Sequence, residues 1–84
     1  MITCLIIDDE RNSREFLTKL ISQYFSSKLF VVDCVDSVEK AVEVINKLHP
    51  ELVFLDIEMK GQDGFKLFKY FDNVFFDIIF YYGS

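Results

Sequence analysis

The chain has 84 residues, of which 51% are hydrophobic and 17% aromatic, with ten Phe, no Trp and a net charge of −5. A chain of this length buries only about 60–65% of the surface its unfolded form exposes, so residues 1–84 read as one small domain with a thin stability margin. An acidic pI of about 4.6 argues against direct contact with nucleic acid or anionic membrane. No apolar run approaches the roughly 20 residues of a bilayer span, and no basic segment leads into a long apolar stretch as in a signal peptide.

Residues 2–8 are a short β-branched apolar run ending in acids, which predicts a buried strand. Residues 12–25 follow with Phe16, Leu17, Leu20, Ile21 and Tyr24 on one helical face. A second strand is predicted over 29–35. Asp36, Ser37 and Glu39 then suggest a capping box, with Asp36 or Ser37 as the cap. Ala41, Val42, Ile45 and Leu48 supply the second helical stripe, which Pro50 stops before a third strand at 51–56. Gly61 and Gly64 mark a loop, a short helix is predicted over 64–72, and 75–82 reads as a fourth strand. Alternating strands and helices, with strands apolar on both faces, predict an α/β domain with a covered parallel sheet.

Cys4 and Cys34 lack partners at metal-ligand spacing and read as strand thiols, and His49 before Pro50 reads as a turn residue. The chemistry is expected from the acids. Asp8 and Asp9 close the first strand, and Asp56 closes the third. Ligands of open α/β sheets bind beyond the carboxyl ends of the strands. Neighbouring strands lie about 4.8 Å apart, so these three carboxylates would meet. Each like-charged pair at about 4 Å costs ~1–4 kcal/mol unless a cation lies between them. Oxygen-only donors favour Mg²⁺, which binds through one or two carboxylates together with a phosphoryl group. A carboxylate beside it is then a candidate nucleophile toward phosphorus.

Leu5-Ile6-Ile7-Asp8-Asp9-Glu10 and Leu52-Val53-Phe54-Leu55-Asp56-Ile57-Glu58-Met59, followed by Asp63-Gly64, resemble a response-regulator receiver domain of bacterial two-component signalling. The helix residues Arg14-Glu15-Phe16-Leu17 are similar to receivers joined to LytTR-type DNA-binding domains. The resemblance implies a flavodoxin-like, doubly wound parallel sheet with strand order 2-1-3-4. It implies that Asp56 is the phosphoacceptor, loaded by a sensor histidine kinase in the cytoplasm. Asp9 and Asp56 would bind Mg²⁺ directly, Asp8 through water, and Glu58 through its backbone carbonyl, with the Glu58 side chain tuning phosphoryl lifetime.

Several positions depart from the family pattern. The chain is expected to lack the last strand and the last two helices of a full receiver, and with them the family's phosphoryl-pairing Lys. Tyr82 aligns with the small-hydroxyl switch position, Ser84 lies two residues beyond it, and Lys60 replaces the usual Pro, which predicts a looser loop. Impaired switching is therefore expected, and an exposed fourth-strand edge predicts homodimerisation by edge pairing or strand exchange. The chain reads as a signalling module and not an enzyme. The alternatives are a phosphorylation-independent scaffold or, less well matched, a Mg²⁺-dependent phosphohydrolase using Asp56.

Overall fold

A computed structural model describes residues 1–83, so the Ser84 position lies outside the described residues. The elements run β1 (Ile2–Ile7), α1 (Arg11–Tyr24), β2 (Leu29–Val35), α2 (Val38–Leu48), β3 (Leu52–Asp56), a 3-10 helix (Gly64–Tyr70) and β4 (Asp77–Tyr81). All strand pairs are parallel, and the sheet order is β2-β1-β3-β4. This is the flavodoxin-like, doubly wound order expected. No helix is long and apolar enough to cross a membrane among the described residues.

Strand parity divides the core into two unequal halves. Leu5 and Ile7 of β1 and Val53 and Leu55 of β3 point to one face, where Val38, Ala41 and Ile45 of α2 cover them together with Met59, Leu67 and Phe76. The opposite face holds a smaller cluster of Cys4, Ile6, Phe54 and Ile21. Only Ile21 of α1 is buried; Phe16 and Tyr24, assigned to its apolar face, stand exposed. An apolar groove lined by Leu17, Leu20, Phe25, Leu52 and Ile79 runs along this side. Leu48 of the α2 stripe is likewise exposed.

Local chemistry explains the element ends. Ser37, not Asp36, caps α2: its hydroxyl accepts from the Lys40 N–H at 3.2 Å, which puts Glu39 one position short of closing a capping box. His49 ends the helix in the left-handed conformation at φ 48°, and Pro50 is buried behind it. The bulge between Cys4 and Leu5 shifts the register with β2 from Val31 to Asp33.

The third helical segment departs from expectation: it is a 3-10 helix, and it ends at Tyr70. Asp63 starts it by accepting from the Phe65 N–H at 3.0 Å. Phe65, Phe68 and Phe71 recur at the three-residue spacing that stacks along a 3-10 helix. Phe65 and Phe68 meet the Phe80 ring of β4 at centroid distances of 5.3 and 6.5 Å. Gly64 lies close against the strand, where an added Cβ would stand 3.2 Å from Leu55 Cδ1. β4 is also shorter than predicted, because Phe75 and Phe76 turn away from the ladder to pack on Phe71.

Candidate functional site

β1 and β3 lie adjacent with Ile7 opposite Leu55, so the next residue of each strand, Asp8 and Asp56, ends up side by side. One carboxylate oxygen from each of Asp8, Asp9 and Asp56 falls within 4.8 Å of the others. Asp8 and Asp56 are buried, at 0% and 1% exposure, while Asp9 is half-buried. The side chain of Glu58, the fourth residue singled out, is exposed and outside the cluster; its N–H donates to Asp56 Oδ1 at 2.9 Å.

The backbone holds each acid in place. Asp8 Oδ1 accepts from the Glu10 N–H at 2.9 Å, and Arg14 Nη1 donates to the Asp8 carbonyl at 2.9 Å. Asp9 Oδ2 accepts from the Lys60 N–H at 2.8 Å. A proline at that position has no N–H to give, so the substitution expected to loosen the loop instead ties it to Asp9.

Two site residues escaped the sequence reading, both at the end of β4. Tyr81 pairs with Asp56 across the β3–β4 ladder, and its hydroxyl donates to Asp8 Oδ2 at 2.7 Å. The Gly83 N–H donates to Asp56 Oδ1 at 3.0 Å. Tyr82, the residue aligned with the switch position, is exposed. Side-chain alternation carries the signal, since Tyr81 and Asp56 are register partners; reading it requires the β3–β4 register.

The electrostatics follow from this crowding. Burial raises the Asp8 carboxyl above the ordinary carboxylate range, and the neighbouring Asp56 charge adds to it; the Glu10 N–H and the Tyr81 hydroxyl pull the other way. Burial, and then the hydrogen bond to Asp8, push the Tyr81 phenol far up. Burial also pushes the Cys4 thiol up to about 11, so at neutral pH it is a protonated core residue and not a thiolate. Hard oxygen donors, closely spaced and mutually repelling, fit a divalent cation such as Mg²⁺.

The comparisons with known proteins agree with this geometry. The family model of the response regulator receiver domain matches residues 4–81. An uncharacterized response regulatory protein of Shewanella oneidensis is 42% identical over 72 residues, covering 86% of this chain and 30% of the relative. The sensory transduction protein LytT of Bacillus anthracis is 33% identical over 67 residues, covering 80% of this chain and 26% of the relative. The chain therefore spans under a third of the length of these relatives, and the LytT match is consistent with the LytTR-associated type. Among solved structures, the signal receiver domain of a modulated diguanylate cyclase from Desulfovibrio desulfuricans shares the fold at a TM-score of 0.80 and 24% identity, covering 100% of this chain and 66% of that one. The receiver domain of the putative response regulator NarL from Mycobacterium tuberculosis follows at a TM-score of 0.69 and 27% identity, over 79% of this chain and 52% of that one. With its sequence matched from the first strand to the last, and its acids gathered at the carboxyl edge of a 2-1-3-4 sheet, the chain belongs to the family of response-regulator receiver domains.

Proposed function

We propose that residues 1–84 form a single phosphoacceptor module, loaded on Asp56 from the phosphohistidine of a sensor histidine kinase. Receiver domains in general are non-enzymatic signalling modules that partner such kinases and bind Mg²⁺ at an acidic pocket. The observation that carries the assignment is the convergence of three carboxylate oxygens within 4.8 Å. Asp9 and Asp56 would hold Mg²⁺ directly, Asp8 through water, and Glu58 through its backbone carbonyl. Bound there, Mg²⁺ would neutralise charge on the attacking carboxylate and on the incoming phosphoryl oxygens.

Asp56 Oδ1 already takes the Glu58 and Gly83 amides, which leaves Oδ2 as the nucleophile. As Oδ2 bonds to phosphorus, the bond from phosphorus to the donor imidazole nitrogen breaks. Its electron pair returns to the ring, and an acyl phosphate remains on Asp56. The Glu10 N–H keeps Asp8 oriented toward the site, and the Lys60 N–H does the same for Asp9. A cytoplasmic location fits a kinase-loaded module. The exposure of the Tyr82 phenol, where a small hydroxyl would follow the phosphoryl group inward, favours impaired switching. Beryllofluoride with Mg²⁺ should bind the wild type saturably and Asp56→Asn not at all. Absence of saturable binding to the wild type would overturn the proposal.

The same reading includes self-association. β4 is an outer strand of the sheet, with Ile79 and Phe80 at 46% and 45% exposure, and open apolar edges recruit further strands. Sedimentation should show a concentration-dependent homodimer, weakened when Ile79 is replaced by Lys. A monomer at every concentration would refute edge pairing.

A further inference from the structure

We infer that Tyr81 and Gly83 form an internal clasp on the acid site, and that cation loading at Asp8 requires the end of β4 to let go. The inference rests on the proposed function and deepens it by naming a positioning residue that nothing in the family assignment supplies. Both oxygens of Asp8 already accept a hydrogen bond: Oδ1 from the Glu10 N–H at 2.9 Å and Oδ2 from the Tyr81 hydroxyl at 2.7 Å. Asp56 Oδ1 is shared by two amides, from Glu58 at 2.9 Å and Gly83 at 3.0 Å.

The clasp is held at both ends. The Tyr81 ring packs against the Cys4, Ile6, Ile21 and Phe54 cluster, so its hydroxyl is delivered from a fixed position. Gly83 lies so close to the carboxylates of Asp8 and Asp56 that a side-chain carbon there would collide with both. Only a glycine allows the backbone this approach.

A hydroxyl bonded to a carboxylate is a charge-assisted donor, stronger than a neutral one. Asp8 Oδ2 keeps a second lone pair beside the one the phenol uses, but Gly83 stands against that same oxygen. An ion approaching Asp8, directly or through a bound water, therefore needs the space that the phenol and Gly83 fill. The clasped chain is therefore the state with low cation affinity, and apparent affinity falls by the fraction of molecules that are clasped. Tyr81 satisfies a buried carboxylate and sets the threshold for loading it with a cation.

The test is a Mn²⁺ titration, followed by the electron paramagnetic resonance signal of the free ion, on the wild type, Tyr81→Phe and Gly83→Ala. Tyr81→Phe keeps the packed ring and removes the hydroxyl, so affinity should rise about tenfold, the loss of one charge-assisted bond that binding must break. Gly83→Ala expels the other end of the clasp by steric collision and should shift affinity in the same direction. If Tyr81→Phe does not fold, the Gly83→Ala arm decides alone. In the wild type the Gly83 amide resonance should move on adding Mg²⁺, a response that loss of packing alone does not produce. Equal or weaker affinity in the folded variants, with the wild type still binding, overturns the clasp and leaves the proposed function standing. Binding by the variants but not by the wild type supports it. No Mn²⁺ binding by any of the three overturns both.

Discussion

Leu55→Ala is expected to remove about 2–5 kcal/mol of stability and to leave much of the chain unfolded under mild conditions. Leu55 is fully buried and sits in β3, flanked by Ile7 of β1 and Phe80 of β4. Gly64 of the 3-10 segment lies near its side chain, so close that an added Cβ would stand 3.2 Å from Cδ1. Truncation therefore opens a void where three elements meet, on the α2 face of the sheet, and neighbours fixed in a parallel sheet relax poorly into it. A chain of this length has a total stability of only about 4–13 kcal/mol, so the loss is a large fraction of the whole. Phe16→Ala is the comparison. Its side chain is 65% exposed on α1, and substitutions of that kind usually stay within about 0.5 kcal/mol. Urea unfolding of both variants decides the matter. Indistinguishable midpoints would mean that the core is not concentrated on the α2 side.

The chain order of strands and helices was legible because each element has its own hydrophobic period. Cys4 to Ile7 and Leu52 to Leu55 are too short and too evenly apolar for amphipathic helices, and Ala41 and Ile45 recur at helical spacing. The acid cluster was legible for a related reason: Asp8 and Asp56 each terminate an apolar run, and parallel strands bring such termini to one edge. The type of the third helical segment was not. Phe65, Phe68 and Phe71 recur every three residues, which suits either kind of helical turn; in the tighter one Phe65 and Phe68 both reach Phe80. Amphipathicity also named the inward face of α1 without showing how thinly it is covered, and Phe16 and Tyr24 are exposed for that reason.

The role of Tyr81 was hidden by register. Adjacent residues of a strand point to opposite faces, so a one-residue difference decides which of two tyrosines reaches the acids. The pairing of Asp56 with Tyr81 exists only after β3 and β4 have docked. Lys60 was hidden differently: its contribution is a backbone N–H to Asp9, which nothing about a lysine side chain reveals.

Asp8→Asn is expected to stabilise the metal-free chain at neutral pH by about 1–2 kcal/mol, a fraction of the ~1–4 kcal/mol by which two like charges at about 4 Å repel. The wild type folds with Asp8 fully buried next to Asp56, and its carboxyl is raised by that burial first and by the Asp56 charge besides. A carboxyl whose folded pKa exceeds its unfolded value binds protons more tightly in the fold. Its contribution is therefore fully present below the ordinary carboxylate range and is lost as pH rises through the raised folded value. Wild-type stability should decline across that window, while Asp8→Asn lacks this decline. Asparagine keeps an oxygen for the Glu10 N–H, and its amide can donate to the Tyr81 hydroxyl in place of the present bond, so the two contacts to Asp8 need not be orphaned. Mg²⁺ should act in the opposite sense. At ten times its dissociation constant, a cation that binds only the folded wild type adds about 1.4 kcal/mol. Asp8→Asn, with one negative charge removed from the cluster, should gain less. Unfolding curves at stepped pH, with and without Mg²⁺, separate these effects. A metal-free Asp8→Asn less stable than the wild type at neutral pH would show that hydrogen bonds to Asp8 outweigh the repulsion, and that the acids are held together without help from a cation.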